Sequence, residues 1–373
     1  MDRSDHYESL ELPATDFELL DVRDRMKVET DQDLRAEIYN CNRFEFLMRR
    51  EKPYPLYELN ELAKKLADLD DCQQAAFQGL VKMDQEKGEQ ITTKRLIDLA
   101  CSTESCHVVW NVEDDEQLGR FYVENGFYPE LDNIPEAVYE MLDYERLGRQ
   151  ARTEEGGVYT DSGYVVQEGE IKEVSNQLTF QPKWPDYIFK LVMSTGVEST
   201  VSAELPMERD DLQRLLRSCT QPLRVCKYDG FLRDVNFQEG APEEVVAMNE
   251  LAMKIQGMES KHQMLKLKGI QEAIGAADPK TLLALVDSLE EYILEPEIKS
   301  AEDLGISDLR NTLGDTEFER LRPFVNLAGY GRETMAYWKV SLTPYGAVQR
   351  EDGEPIFKKT GMDQWRGDEM MYM

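Results

Sequence analysis

The sequence predicts an α+β fold in which small β-sheet domains flank a helical domain, and it predicts this arrangement in two tandem units. Three observations carry that reading: one amphipathic helix recurs, the landmarks around it recur in order, and short strand signals lie between the helices. In the first copy of the helix Leu56, Leu59, Leu62, Ala63, Leu66 and Leu69 line one face at helical spacing. Moved by 189 positions they fall on Val245, Met248, Leu251, Ala252, Ile255 and Met258, and Asn60-Glu61-Leu62-Ala63 reappears unchanged as Asn249-Glu250-Leu251-Ala252. Amphipathicity accounts for the stripe but not for an identical polar pair, so the chain reads as an internal duplication. Leu12-Pro13 is echoed by Leu205-Pro206, Gly148-Arg149 by Gly331-Arg332, and Thr160, Gly163 and Val165 by Thr343, Gly346 and Val348. The offset drifts from 193 through 189 to 183, as loops shorten without changing the order.

Taken in order, Thr15 caps a helix opening Asp16-Phe17-Glu18, with Glu18 placed to complete a capping box. Ala36-Glu37-Ile38-Tyr39 has strand character, and Pro53 and Pro55 end whatever precedes the recurring helix. Helices are expected near 71–84 and 93–101, with a strand at His107-Val108-Val109-Trp110. Residues 114–125 are helical and closed by Gly126 at C′. Another helix starts at Ile134-Pro135 and runs through Met141-Leu142, and a helical turn covers 144–149. Residues 156–166 read as a hairpin about Asp161-Ser162. The second half gives a strand at 187–193 and helices near 208–217, 245–258, 261–274 and 280–293. The domains follow: entry α+β at 1–55 and 187–242, helical at 56–102 and 243–295, α+β at 103–173 and 296–357, a linker at 174–186 and a flexible tail at 358–373.

Charge is the dominant compositional signal. The 373 residues hold 43 Lys+Arg against 74 Asp+Glu, a net charge of −31 and a pI near 4.5. Such a chain is repelled by nucleic acid and anionic membranes and attracted to basic surfaces. A disordered acidic chain is excluded by the 41% hydrophobic content and the clean helical stripes. Six scattered cysteines without a Cys-x-x-Cys pair suit reduced thiols in a cytoplasm, that of a bacterial host cell on the resemblance below. No apolar run approaches the roughly 18 residues of a membrane span, and Met1-Asp2-Arg3-Ser4-Asp5 has no signal-peptide character.

The excess is uneven. Residues 1–173 carry a net −21 and residues 174–373 a net −10. The densest stretch, 96–145, sets thirteen acidic residues against Arg120 alone. Duplex DNA carries one charge per about 1.7 Å of axis, so 31 excess charges match about 50 Å of duplex, roughly 15 base pairs. Carboxylates on an outer face imitate the electrostatics of a DNA segment and would displace DNA from a basic groove. The leading carboxylates are Glu113, Asp114, Asp115, Glu116, Glu124, Glu130, Asp132, Glu136 and Glu140.

Three runs then carry a resemblance: Leu118-Gly119-Arg120-Phe121-Tyr122-Val123-Glu124-Asn125-Gly126-Phe127, the segment from Leu131-Asp132-Asn133-Ile134-Pro135 through Val138-Tyr139 to Leu142-Asp143-Tyr144, and Gly148-Arg149. These, with Glu58-Leu59-Asn60-Glu61-Leu62 and the hairpin at 157–166, resemble the antirestriction protein ArdA family. The resemblance implies elongated, acidic α+β proteins that mimic B-form DNA. Carried by phages and mobile elements, they occupy the DNA groove of type I restriction-modification enzymes and so evade host defence. Members pair as homodimers through the region matching 131–144. Two copies in one chain imply a monomeric pseudo-dimer, or else a homodimer. The second copy is the looser match: at 314–327 it lacks the Ile-Pro step and carries Arg320 and Arg322.

Other chemistry finds little support. Cys101, Cys106 and His107 fall short of the about four compact ligands of a structural zinc site, and no third group orients a nucleophile. Gly156-Gly157 leads into a strand, whereas a phosphate cradle leads into a helix. Trp110, Trp184, Trp338 and Trp365 read as core or loop anchors, and Asn60 and Asn249 as backbone contacts. The expectation is a non-enzymatic inhibitor with no cofactor and no metal that binds neither nucleic acid nor membrane directly. Rival readings are a nucleic-acid mimic aimed at another anti-phage complex, such as a CRISPR effector or nuclease, an acidic scaffold or chaperone for basic proteins, and a metal-dependent enzyme.

Overall fold

The computed structural model describes residues 7–28, 33–49, 53–88, 90–131, 135–194, 199–219 and 223–356. In chain order its elements are α1 (Asp16–Met26), β1 (Arg35–Ala36), β2 (Tyr54–Pro55), α2 (Leu56–Ala67), α3 (Asp71–Glu86), α4 (Thr93–Ala100), β3 (Cys106–Trp110), α5 (Asp115–Glu124), α6 (Glu136–Tyr139), α7 (Tyr144–Glu155), β4 (Val158–Thr160) and β5 (Gly163–Gln167). There follow β6 (Phe189–Ser194), β7 (Thr200–Leu205), α8 (Arg209–Ser218), β8 (Arg224–Gly230), α9 (Pro242–Gln256), α10 (Lys261–Ile274), α11 (Pro279–Asp287), β9 (Tyr292–Glu295), α12 (Ala301–Leu313), α13 (Asp315–Leu321), α14 (Leu327–Trp338), β10 (Ser341–Thr343) and β11 (Gly346–Arg350). The class is α+β. The chain divides into two bodies: Ser9–Ala14 with Val28–Pro182, and Thr15–Lys27 with the chain from Lys183 on.

In the first body α2 buries Leu56, Leu59 and Leu62, the stripe read from the sequence. Leu59 and Leu62 pack with Ala76, Phe77 and Leu80 of α3 and Leu96, Ile97 and Leu99 of α4. The antiparallel sheet runs β3-β5-β4, with Val165 opposite both Val108 and Val158. Gly79 lets α3 lie on that sheet, because a Cβ there would stand 2.5 Å from Val165. The strand expected at 36–39 ends at Ala36. The next rung would fall on Pro53, which has no N–H to donate. The helix expected through 134–142 is a single turn, α6, with Ile134 outside the described residues. The turn expected at 144–149 is instead the twelve-residue α7, closed by Gly156 at φ +69°.

The supposed linker is in part fixed. Asp98 accepts hydrogen bonds from the Ser175 N–H (2.7 Å) and hydroxyl (2.9 Å), and the Ser102 hydroxyl accepts from the Lys172 N–H (2.9 Å). Leu178 and Phe180 pack on the first core. Residues from 357 on, including the expected tail, lie outside the described residues.

The second body holds an antiparallel sheet in the order β7-β6-β8, with Phe189, Leu191 and Met193 of β6 buried. A second sheet runs β10-β11-β9. The helix expected at 280–293 stops at Asp287, because Tyr292 to Glu295 pair with Arg350 to Ala347 as a strand. A short apolar run suits either state, and the ladder decides. This body also takes α1, which was expected to belong to the entry domain of the first copy. Its capping box, Thr15 with Glu18, is formed as read. Phe17 lies against Trp184, Tyr187 and Phe231. Asp21 is buried among Lys268 (2.6 Å), Arg233 (2.7 Å) and the Tyr345 hydroxyl (2.7 Å).

The order from α2 to β5 recurs from α9 to β11, and so do its contacts. Leu12-Pro13 and Leu205-Pro206 are both cis. The Asn60 carboxamide accepts from the Ala14 N–H (2.7 Å) and donates to the Ala14 carbonyl (3.1 Å). Asn249 does the same to Met207, at 2.8 and 3.0 Å. The repeated asparagine therefore fastens the residue after each proline to the recurring helix. Asn60→Ala should lower the unfolding free energy of the first body by about 1–3 kcal/mol, the cost of orphaning buried backbone groups. Asn60→Asp should cost more, since a carboxylate cannot donate to Ala14. Denaturant unfolding followed by circular dichroism measures both, and equal stability of all three proteins would contradict the assignment.

Candidate functional site: an acidic helical hairpin

The acidic residues singled out from the sequence fall at the start of α5, along it and in the segment that leads from it to α7. Asp114 caps α5 by accepting from the Gln117 N–H (2.8 Å), and the Gln117 side chain accepts from the Glu113 N–H (2.8 Å). Carboxylates in the first turn, Asp115 and Glu116, suit the positive end of the helix. Asp143 caps α7 through the Arg146 N–H (3.0 Å). The two helices cross on glycines. A Cβ at Gly119 would meet the Tyr144 carbonyl at 2.0 Å, and one at Gly148 would meet the Asp115 carbonyl at 1.8 Å.

At this crossing Asp115 is held inward. It accepts from Arg152 Nε and Nη2 (2.7 and 3.1 Å) and from the Tyr159 hydroxyl (2.8 Å), with Arg149 at 3.6 Å. The Arg152 hydrogen bond is the main cause holding its carboxyl below the usual aspartate range, and burial with Asp115 beside it pushes the Tyr159 hydroxyl up. At the end of α7 the exposed Glu155 accepts from the hydroxyls of the buried Tyr122 (2.8 Å) and Tyr164 (3.0 Å), both pushed up, chiefly by burial. Gly157 makes room, since a Cβ there would meet the Tyr164 hydroxyl at 2.2 Å.

The other expected carboxylates face out. Glu113, Asp114, Glu116, Glu124, Glu130 and Glu140 are exposed. Asp132 and the side chain of Glu136 lie outside the described residues. Glu116 pairs with Arg120 (2.8 Å), whose guanidinium sits 4.5 Å from the Tyr144 ring centre. Arg149 pairs with Glu145. Of the residues matched to the family motif, Tyr139 donates to the Leu131 carbonyl (2.8 Å) and Tyr144 to the Tyr139 carbonyl (3.0 Å). Leu142 is half-buried, while Pro135 and Val138 are exposed. The motif thus shapes the connection that carries Glu130 and Glu140. Sequence reasoning passed over Arg152, Tyr159, Tyr122 and Glu155. The one local signal was Arg152 three positions after Arg149, which puts both on one helix face.

The matching hairpin of the second body, α12 and α14, keeps the glycine crossing: a Cβ at Gly331 would meet the Ala301 carbonyl at 1.6 Å. Its brace is apolar. Ala301, Met335 and Leu342 stand where Asp115, Arg152 and Tyr159 stand, and Met335 and Leu342 pack beside Ile298, Leu304 and Val340. Residues 115–155 hold eleven acidic and four basic side chains, whereas 301–338 hold seven and four. The acidic surface therefore belongs mainly to the first hairpin.

Among the described residues no group of three His, Cys, Asp or Glu is arranged to hold a metal. Burial pushes the Cys106 thiol up to about 11 and the Cys101 thiol up as well, so neither is poised as a thiolate. A cavity of about 160 Å³ in the second body is lined by the paired charges Asp21, Arg233, Lys268 and Glu272. No helix among the described residues is long and apolar enough to cross a membrane. Trp110, Trp184 and Trp338 are each close to half exposed, Trp184 anchoring its loop on Phe17 and Phe231, and Trp365 lies outside the described residues.

A lowered carboxyl pKa stabilises the fold above the ordinary value and ceases to do so as pH falls through the lowered one. Wild-type α5 and α7 should therefore lose amide-exchange protection only below about pH 4. Asp115→Asn should show reduced protection already at pH 7 and a flatter acid dependence. Gly148→Ala should destabilise by about 1–3 kcal/mol or more through overpacking, read as a fall in the melting midpoint. Unchanged protection or melting would contradict the brace. Compared with protein-family models, curated proteins and solved structures, the chain matches none.

Proposed function

We propose that this protein is a DNA-mimicking inhibitor of the ArdA type, made of two tandem copies, that occupies the basic DNA groove of a type I restriction-modification enzyme. One observation carries the reading. On the first hairpin Arg120, Arg149 and Arg152 are engaged with Glu116, Glu145 and Asp115, leaving Arg146 as the exposed cation beside the exposed Glu113, Glu124, Glu130 and Glu140. The recurrence of elements, asparagine clamps and glycine crossings supports the tandem part of the proposal. The mechanism is occupation: carboxylates replace phosphates against the target's lysines and arginines, and no bond is made or broken. Each exposed charge contributes little, so they act as a field.

The test joins four substitutions, Glu113→Gln, Glu124→Gln, Glu130→Gln and Glu140→Gln. Binding to a purified type I enzyme should weaken, and the dependence of log affinity on log salt should flatten by about 3–4 units, one per lost contact. A short DNA duplex should compete with the wild-type protein. Unchanged affinity with an unchanged salt slope would sink the reading. Sedimentation at low protein concentration tests the tandem part: one chain standing in for a pair should run as a monomer, and a stable dimer would refute it.

A further inference from the structure

At the end of α14, Tyr337 and Trp338 stand where the first body has Glu154 and Glu155. In the first body Glu155 is tied to two tyrosines, but here its counterparts are exposed aromatic rings. Tyr337 is 75% exposed and Trp338 47%, an adjacent pair packed edge to face with centroids 5.0 Å apart. The turn at Gly353 lies beside the indole, where an added Cβ would stand 3.8 Å from the ring. The adjoining segments carry carboxylates. That turn carries exposed Glu351 and Glu354, and Glu333 precedes Tyr337 by one helical turn on α14. Of the cations beside this turn, Lys339 pairs with Glu354 at 3.8 Å and Arg350 with Asp352 at 2.8 Å.

We propose that Tyr337 and Trp338 form an anchor for arginine side chains of a basic protein partner, with the guanidinium lying on the indole face and Glu351 and Glu354 pairing with its charge. The warrant is the combination of chemistries. Exposed carboxylates alone attract any cation, whereas an exposed ring bordered by carboxylates favours the planar, weakly hydrated guanidinium over the ammonium of lysine. Aromatic side chains are also the residues that carry binding energy at protein interfaces. This anchor rests on the reading of the partner as a basic protein, but it is a contact separate from the acidic hairpin and adds a preference that a charge field lacks.

The experiment uses the full chain and small probes. Triarginine amide and trilysine amide are titrated into isotope-labelled protein while the four tryptophan indole N–H signals are followed, Trp338 being assigned with Trp338→Phe. The Trp338 signal should shift saturably, with triarginine binding about three- to fivefold tighter than trilysine. Glu351→Gln with Glu354→Gln should weaken both peptides. A Trp338 signal that moves no more than that of Trp184, or equal affinity for the two peptides, would overturn the proposal. Because no target enzyme is present, failure here leaves the groove-occupying reading untouched, and failure of the four-glutamine test leaves this one untouched.

Discussion

The acidic surface depends on how closely two helices approach. Gly119 and Gly148 let α5 and α7 cross with backbone against backbone, and no side chain could enter without parting them. Everything displayed on that hairpin inherits its position from the contact. A field of carboxylates can imitate a phosphate lattice only if its members hold their spacing, since mobile side chains on a loose scaffold spread their charge into solvent. Self-repulsion among so many acids also works to separate the helices. The crossing and the Asp115 brace oppose that repulsion, and they do so by consuming arginines that would otherwise neutralise the surface.

The second hairpin meets the same geometric constraint with different chemistry. Where the first uses an aspartate, an arginine and a tyrosine, the second uses Ala301, Met335 and Leu342. Partly buried ion pairs and well-packed apolar groups of similar volume are often close in net stability, because desolvation offsets the Coulombic gain. The crossing glycines persist in both hairpins because backbone contact leaves no alternative residue. The brace is free to vary because several chemistries suffice. The exposed surface differs most, with glutamates at the end of α7 and an aromatic pair at the end of α14.

Features set by local chemistry were legible in the sequence. The Thr15 cap, the stripe of α2, the glycine after α5 and the hairpin about Asp161-Ser162 all form where the residues placed them. The misses share a cause, which is contact between residues far apart in the chain. Strand β9 has the composition of a helix end, and only its pairing with β11 makes it a strand. Asp115 is indistinguishable by sequence from its acidic neighbours, and its inward role depends on Arg152 and Tyr159, 37 and 44 positions away. Of the candidate carboxylates, the exposed ones needed only composition to be found, while the captured one needed the fold.

Helix α1 adds a constraint of timing. It is synthesised before the residues it packs on, so Phe17 waits for Phe231, and Asp21 for Arg233, Lys268 and Tyr345. Its last partner, Tyr345, follows Asp21 by 324 residues, so until then the setting of this carboxylate is incomplete. The residues around it, Ser9–Ala14 and Val28–Pro182, belong to the body completed earlier. The first body can therefore close before α1 has all its partners.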